Sequence, residues 1–282
     1  MGPIILDGKS LAKGMEPPLA ERAARIRERR GRAPGLATVM VGDNPASAMY
    51  VRMKGNACRR VGVEPVRIDM PEGSTTAEVI GAIERLNADP GVSGILLQHP
   101  LPRHVDEMAC FNAISVAKDV DGVCVSSFGM AAMGMEGHRS ATSLSIVSIL
   151  RHYGIPIEGR EAVVVGRSPI LGKPVSMLLL NENATVTICH SRTVGLPDVV
   201  RRADIVVGAL GRPRFIKADW VKEGAVLVDA GYNEGNVGDI DLENAAAKSS
   251  AYTPVPGGVG PMTIMQLISQ TVRAAEMVLG IG

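Results

Sequence analysis

The sequence predicts an α/β protein of two domains with a cleft between them, and two observations support this. Short apolar segments alternate with helical patterns along most of the 282 residues, which is typical of βαβ units and mainly parallel sheets. Residues 128–140 (FGMAAMGMEGHRS) interrupt this alternation with Gly and Met and without a clear period. We interpret them as a connector, since a second series of strands and helices follows.

The first series predicts three strands, at residues 36–41, 63–68 and 94–98. Asn44 and Pro45 indicate a helix start, with Asn as the cap and Pro in the first position. This helix is expected to reach about Arg60. Thr75 and Glu78 have the spacing of a capping box and predict the start of another helix. The first domain is therefore expected to be a parallel-sheet α/β domain.

The second series has the order of a Rossmann half. Its predicted strands are 162–165, 185–188, 205–207 and 225–229, and its predicted helices are 142–153, a segment ending near 181, and 196–202. The loop 254–261 (PVPGGVGP) is too rich in Pro and Gly for a helix or strand. An amphipathic helix over 262–279 is predicted to follow it.

Composition excludes several classes of protein. Apolar residues make up 46% and charged residues 21%, with a net charge of +1, which indicates an ordinary globular protein. The arginines of residues 22–32 are interrupted by Glu28 and indicate a solvated helix face, not a nucleic-acid site. The four cysteines have no metal-site spacing. No apolar run approaches the ~20 residues of a membrane span, so we expect a cytoplasmic protein without metal, membrane or nucleic-acid partners.

The segment VVVGRSPILGKP (163–174) resembles a strand, a glycine turn and a helix start. Such a helix N-terminus can bind phosphate through free N–H groups. Gly166 and Gly172 alone are weak evidence, because Gly166 could simply end a strand. The next strand, however, ends in HSRT, where a Rossmann domain contacts the ribose.

This second position favours NADP over NAD. An NAD enzyme usually places a carboxylate there, whereas a 2′-phosphate needs cationic and hydroxyl donors. The sequence offers Ser191 and Arg192, and Arg167 could supply a second cation. For His190 we favour a structural hydrogen-bonding role.

Three residues of the helix after the first strand share one face: Ser47, Tyr50 and Lys54. Gln98 ends another strand, and Asp119 and Asp121 follow in a predicted loop. A solvated lysine, a core tyrosine and a capping glutamine are the structural alternatives for these residues taken singly. Together they suggest a site, in which a partly dry lysine would have a lowered pKa and move protons near neutral pH.

These residues lie in motifs that resemble one family, the bifunctional methylenetetrahydrofolate dehydrogenase/cyclohydrolases. The matching segments are VGDNPASAMYVRMK, QHPLP, KDVDG, GRSPILGKP, ATVTICHSRT, GAVLVDAGYN, GDID and TPVPGGVGPMT, in the order of the family and over nearly the whole chain. The resemblance implies oxidation of 5,10-methylenetetrahydrofolate with NADP and hydrolysis of the methenyl product to 10-formyltetrahydrofolate. It also implies a homodimer.

The resemblance implies a role for each site residue. Lys54 would handle protons and Gln98 would orient it. Tyr50 would stack on the aminobenzoyl ring with Ser47 in support, and Asp121 would hold the pterin edge. The folate side of the cleft would include Pro256, Gly257 and Gly260. The NADP contacts would be Gly166, Arg167, Ser168, Ser191, Arg192, Tyr232, Thr142 and Thr263.

The resemblance also implies the domain bounds. Residues 1–139 would form the catalytic, folate-binding domain, with the C-terminal helix 262–282 packing back on it. Residues 140–261 would form the NADP-binding Rossmann domain.

The chain departs from the family pattern at three places. Residues 140–143 are SATS where the family has PCTP, which should loosen the chain because Pro fixes φ. His99 replaces an apolar residue, and Tyr232 replaces an isoleucine. Two alternatives therefore remain: a dehydrogenase with weak or no cyclohydrolase activity, and a non-catalytic folate- or nucleotide-binding relative.

Overall fold

The computed structural model describes residues 2–281 and divides the chain into two compact units. One unit, here the six-stranded unit, holds the residues up to Lys13, Ala131–Gly134 and Ser140–Thr263. The other, here the three-stranded unit, holds Gly14–Met130, Met135–Arg139 and the residues from Ile264 onward.

Within residues 2–281 the strands are β1 Ile4–Ile5, β2 Gly35–Val41, β3 Glu64–Met70, β4 Val92–Leu97, β5 Glu161–Val165, β6 Thr185–Cys189, β7 Ile205–Gly208, β8 Val226–Asp229 and β9 Ala251–Tyr252. The helices are α1 Gly8–Arg30, α2 Pro45–Arg60, α3 Thr76–Ala88, α4 Glu107–Ala113, α5 Val125–Ala132, α6 Ala141–His152, α7 Gly172–Asn181, α8 Leu196–Arg202, α9 Leu242–Ala245 and α10 Val259–Leu279. Two short 3₁₀ turns occur at Ala218–Trp220 and Ala246–Lys248.

The sheet of the three-stranded unit is parallel, with the order β3-β2-β4. Every residue of the central strand β2 and of β4 is buried, as expected of a parallel sheet that is covered on both faces. The chain leaves β2 toward one neighbour and later returns to pair on its other side. Ligands bind at the carboxyl ends of strands at such a switch point.

The local signals for this unit are confirmed. The helix α2 begins at Pro45, and the side chain of Asn44 accepts a hydrogen bond from the N–H of Ser47 at 3.1 Å. Thr75 and Glu78 form the predicted capping box of α3. Both pairs lie within three residues of each other, so local sequence determines them.

The sheet of the six-stranded unit is also parallel, with the order β1-β9-β8-β7-β5-β6. Here β5 has β6 on one side and β7 on the other, so it stands at a second switch point. Its core is mostly aliphatic, with Val163, Val206 and Leu227 among its buried residues. The predicted Rossmann order is confirmed.

Helix α5 corrects the predicted connector, because its last five residues fall inside 128–140. The signals that start it lie outside that window. The N–H of Val125 donates to Asn112 Oδ1 at 2.9 Å, and the N–H of Ser127 donates to Cys124 Sγ at 3.3 Å. The capping partners are therefore a distant Asn and a Cys, which the sequence pattern did not reveal.

Helix α10 begins at Val259, three residues before the predicted start. Gly260 and Pro261 lie in its first turn, where the missing N–H of proline has no intrahelical partner to lose. Strand β1 and the first half of α1 were not predicted. Helix α1 contains Pro17 and Pro18, which obscured its pattern.

The observed division differs from the predicted domains at the N-terminus. Strand β1 pairs with β9, so the first residues belong to the six-stranded unit. The residues from Ile264 onward belong to the three-stranded unit. There, Gln270 Nε2 donates to the carbonyl oxygens of Val120 at 2.7 Å and Arg139 at 2.8 Å. Among residues 2–281, no helix combines the length and apolarity that a membrane crossing requires.

Candidate active site and nucleotide loop

Ser47, Tyr50 and Lys54 lie along one face of helix α2 in the three-stranded unit. Ser47 is buried, whereas Tyr50 and Lys54 are partly buried. The helix follows β2 directly, so its residues lie close to the carboxyl end of the central strand. This is the place that the sequence predicted for a site.

Lys54 and Gln98 meet although 44 residues separate them. Lys54 Nζ donates a hydrogen bond to Gln98 Oε1 at 2.9 Å. The backbone N–H of Gln98 donates to Val39 O at 2.8 Å, which fixes the residue against the central strand. Gln98 Nε2 donates to His99 O at 2.9 Å. Since the amide nitrogen is engaged there, the amide oxygen faces the lysine.

The surroundings of Lys54 favour its neutral form. Burial lowers the pKa of Lys54, and the negative charge of Asp121 only partly opposes this effect. Cys58 lies one turn further along α2, and burial raises the pKa of its thiol to about 12. Cys58 therefore remains a thiol, and Asp121 is the carboxylate that acts on the lysine.

The turn that carries Asp121 is held by its neighbour Asp119. The buried carboxylate of Asp119 accepts hydrogen bonds from the N–H groups of Val123 at 3.1 Å and Cys124 at 3.0 Å. Gly122 has a φ of 62° in this turn, a conformation that favours glycine. The two aspartates therefore have different roles. Asp119 stabilises the turn through hydrogen bonds, whereas Asp121 acts on Lys54 through its negative charge.

His99 is partly buried beside this group. Its ring lies edge-on to Phe111, with 6.5 Å between ring centroids. Burial lowers the pKa of His99, the carboxylate of Glu107 opposes this, and the positive charge of Lys54 adds to the lowering. Burial and the charge of Lys54 therefore favour the neutral imidazole.

In the six-stranded unit, the nucleotide loop (residues 166–172) requires its two glycines. A Cβ on Gly166 would lie 2.0 Å from Ala209 O, and the φ of this residue is 139°. A Cβ on Gly172 would lie 2.4 Å from Gly166 O. Without a Cβ, Gly166 can lie close to the backbone that follows β7. In the same way, Gly172 allows the start of α7 to pack closely against the loop.

The expectation of free N–H groups at this helix start is wrong for three residues. Ser168 Oγ accepts hydrogen bonds from the N–H groups of Leu171 and Gly172, both at 3.2 Å. The N–H of Lys173 donates to Ser168 O at 3.1 Å. Ser168 therefore caps the helix from inside the loop, and these groups are engaged within the protein.

The loop lies beside the HSRT segment because β5 and β6 are neighbours. Val165 is paired with Cys189, and the N–H of Gly166 donates to Cys189 O at 2.9 Å. The side chains of Arg167, Ser191 and Arg192 are exposed at this edge. Two arginines and a hydroxyl thus stand at the carboxyl ends of adjacent strands.

His190 has the structural role that we favoured. Its Nδ1 accepts a hydrogen bond from the N–H of Arg192 at 3.1 Å, and its own N–H donates to Thr193 Oγ1 at 2.9 Å. These bonds shape the turn that presents Ser191 and Arg192.

The remaining predicted residues lie at several places in the six-stranded unit. Tyr232 follows β8, is exposed, and donates a hydrogen bond to Asn236 Oδ1 at 2.6 Å. Thr142 lies in the first turn of α6, and Thr263 Oγ1 donates to Val259 O in the first turn of α10. Pro256, Gly257 and Gly260 belong to the segment around the start of α10, and Gly257 O accepts the N–H of Lys9 at 2.8 Å.

Sequence reasoning missed two buried carboxylates that organise the loops after β7 and β8. Asp239 accepts hydrogen bonds from the N–H groups of Leu210, Gly211 and Arg212 at 2.5 to 3.0 Å. Asp229 accepts those of Gly231, Asp239 and Ile240 at 2.8 to 2.9 Å. Burial raises the pKa of Asp229 to about 6. The available sequence signals for this pair were the position of Asp229 at the end of β8 and of Asp239 in the motif GDID.

The part of the chain that the structure describes holds no group of three or more His, Cys, Asp or Glu residues arranged to bind a metal.

Family models match both parts of the chain. Residues 6–121 match the tetrahydrofolate dehydrogenase/cyclohydrolase catalytic domain. Residues 140–279 match the tetrahydrofolate dehydrogenase/cyclohydrolase NAD(P)-binding domain.

Individual proteins are similar over their full length. The bifunctional protein FolD of Acidobacterium capsulatum is 61% identical, with 100% of both chains covered. The bifunctional FolD methylenetetrahydrofolate dehydrogenase/cyclohydrolase of Campylobacter jejuni is 40% identical in a solved structure, with a TM-score of 0.94 over 97% of this chain and 99% of that chain. The FolD enzyme of Trypanosoma brucei, solved with NADP cofactor and inhibitor, is 33% identical, with a TM-score of 0.95 over 99% of both chains.

Proposed function

The chain belongs to the tetrahydrofolate dehydrogenase/cyclohydrolase family, and we propose that it catalyses two consecutive reactions. It oxidises 5,10-methylenetetrahydrofolate to the methenyl cation with NADP. It then hydrolyses that cation to 10-formyltetrahydrofolate. The observation that carries the proposal is the hydrogen bond from Lys54 to Gln98, beside Asp121, at the carboxyl end of the central strand of the three-stranded sheet.

Lys54 is the proposed proton-handling residue. Its pKa is lowered by burial, so a larger fraction of the side chain is neutral at physiological pH than for an exposed lysine. A neutral amine can accept a proton from water, and the resulting ammonium can return it. Gln98 holds the amine in place through a neutral oxygen and so adds no charge that would raise the pKa again.

The hydrolytic step balances with one lysine. Water adds to the methenyl carbon, and Lys54 takes a proton from it. The bond from that carbon to N5 then breaks, N5 receives the proton from Lys54, and the remaining hydroxyl proton leaves to solvent as the formyl group forms on N10. A correctly placed acid–base group of this kind contributes about 10² to 10⁴ in rate.

The other predicted residues of the three-stranded unit would bind the folate. Tyr50 offers an aromatic face for the aminobenzoyl ring, with Ser47 one turn before it on α2. The carboxylate of Asp121 can accept hydrogen bonds from the amino and ring N–H groups of the pterin. We also assign Pro256, Gly257 and Gly260 to the folate side.

The nucleotide loop and the HSRT segment fit NADP. The glycines leave no Cβ where the loop approaches β7 and α7, and Arg167, Ser191 and Arg192 are exposed at one edge without a carboxylate among them. When bound, NADP supplies the hydride acceptor of the oxidation. The two arginines and Ser191 would bind its 2′-phosphate, while Gly166, Ser168, Thr142, Tyr232 and Thr263 would contact the remainder.

We further propose that the enzyme works in the cytoplasm as a homodimer. Its product would supply one-carbon units for purine, methionine and histidine biosynthesis. Neither a nucleic acid nor a membrane is needed for the proposed reactions.

A paired assay tests the proposed oxidation. The purified protein is mixed with methylenetetrahydrofolate and either NADP or NAD, and reduction of the nicotinamide is followed by absorbance. We expect reduction with both substrates present and a clear preference for NADP. Absence of reduction with either nucleotide at saturating folate would instead indicate a non-catalytic relative.

A further inference from the structure

The start of α6 contacts the nucleotide loop through two serine side chains. Ser140 Oγ donates a hydrogen bond to Ile170 O at 2.8 Å. Ser143 Oγ lies 3.0 Å from Ser140 Oγ and 3.3 Å from Leu171 O. The two hydroxyls therefore form a small network that ends on two carbonyl oxygens of the loop.

This network is shielded from water. Ser140 is 4% exposed and Ser143 is 0% exposed. Water does not readily replace hydrogen bonds at such buried positions. A buried carbonyl oxygen that loses its donor remains without a partner, which destabilises the folded state. The network therefore holds Ile170 and Leu171 in place more firmly than a surface contact would.

The rest of the loop is fixed by other contacts. Gly166 is packed against Ala209 O, and Ser168 Oγ accepts the N–H groups of Leu171 and Gly172. The first half of the loop is thus attached to the sheet, and the serines of α6 hold its second half. Arg167 lies between these attachments along the chain and is exposed.

The serines belong to the SATS segment, which departs from the prolines of the family pattern. A proline side chain cannot donate a hydrogen bond. The contact from α6 to the loop is therefore made by Ser140 and Ser143, the two positions where this chain has serine in place of proline.

We propose that Ser140 and Ser143 are positioning residues that hold the nucleotide loop in the shape that binds the pyrophosphate and 2′-phosphate of NADP. This inference rests on the proposed function of the loop. It predicts that removal of both hydroxyls weakens NADP binding and leaves the hydrolysis of methenyltetrahydrofolate, which needs no nucleotide, unchanged.

The double variant Ser140→Ala/Ser143→Ala tests this role. We expect the dissociation constant for NADP, measured by titration calorimetry, to rise about five- to tenfold, as for the loss of one buried hydrogen bond or slightly more. The Michaelis constant for NADP should rise with it, while kcat changes little. The single variant Ser140→Thr keeps the Oγ and should bind NADP with wild-type affinity.

Ser145→Ala is the matched control. Ser145 is buried on the same helix, but its Oγ donates to Ala141 O within α6 at 2.7 Å. Its NADP affinity and its hydrolytic rate should equal those of the wild type. Thermal unfolding and the hydrolysis of methenyltetrahydrofolate report whether each variant is folded.

Two results would overturn the role of the serines. The first is an NADP affinity of the double variant within twofold of the wild type. The second is an equal loss of NADP binding and of hydrolysis, which would mean a general structural role. The proposed function fails separately, if the wild type binds NADP but neither oxidises methylenetetrahydrofolate nor hydrolyses the methenyl compound.

Discussion

Lys54 donates a hydrogen bond to the amide oxygen of Gln98 at 2.9 Å, and the amide nitrogen of Gln98 donates to His99 O. The lysine is therefore held by a neutral partner whose orientation is fixed. A carboxylate in the same place would stabilise the ammonium and remove the basic form at neutral pH. The choice of an amide thus fits a lysine that must exchange protons.

Gln98→Glu should lower the rate of methenyl hydrolysis at neutral pH and move the pH–rate profile to higher pH. The added negative charge raises the pKa of Lys54 and so reduces its neutral fraction, with a loss of roughly ten- to a hundredfold in rate. The measurement is the hydrolytic rate from pH 6 to 9. Gln98→Met, the uncharged control, should lose rate without that upward displacement. An unmoved profile in Gln98→Glu would contradict the account.

The variant His99→Leu should lose less of its free energy of unfolding in mild acid than the wild type does. The pKa of His99 is lowered by burial, so the unfolded chain binds a proton near pH 6.5 while the folded chain resists it. The free energy of unfolding therefore decreases as the pH falls below that value. Urea unfolding at pH 7.5 and 5.5 should show a smaller loss of the free energy of unfolding in the variant than in the wild type. An equal loss in both proteins would show that His99 does not titrate this way.

Arg192→Ala should raise the Michaelis constant for NADP about tenfold or more and leave that for NAD nearly unchanged, because a charge-assisted bond to the 2′-phosphate is lost. Steady-state kinetics with both nucleotides give the two ratios. Arg160→Ala is the control, since this exposed arginine immediately precedes β5 at the amino end of that strand. Equal changes for NADP and NAD would mean that Arg192 does not meet the 2′-phosphate.

Gly166→Ala should destabilise the six-stranded unit and weaken NADP binding. The new Cβ would lie 2.0 Å from Ala209 O, and we expect a loss of about 2–4 kcal/mol in the free energy of unfolding. Gly224→Ala is the control, because its φ is 78° but its Cβ would meet nothing within 4 Å. The control should lose about 1–2 kcal/mol. If denaturant unfolding shows equal losses, close packing does not explain the glycine at 166.

Signals that act over a few residues could be predicted from the sequence. The start of α2 at Asn44 and Pro45 and the capping box of α3 depend on neighbours three residues apart. The alternation of apolar segments with helices predicted both parallel sheets, because strands buried on two faces are mostly apolar.

Features that depend on distant partners could not be predicted in the same way. Helix α5 is started with the help of Asn112, and Ser168 turns inward to cap α7 instead of leaving its N–H groups free. The rule for parallel sheets placed Lys54 and Gln98 near one edge of the sheet, and the family resemblance implied that Gln98 orients Lys54. The hydrogen bond itself needed the structure. The network from Ser140 to Ile170 spans 30 residues and has no sequence signature.

The hydrolysis of methenyltetrahydrofolate by the wild type and by Lys54→Met tests the central claim most directly. We expect the wild type to clear the methenyl absorbance faster than a protein-free blank, and Lys54→Met to fall at least about a hundredfold, to the blank rate, because its acid–base group is missing. The variant should still unfold cooperatively. Arg52→Met, a change to an exposed cation of the same helix, should retain the wild-type rate. A folded Lys54→Met protein with the full hydrolytic rate would remove Lys54 from the mechanism, and a wild type no faster than the blank would contradict the second activity itself.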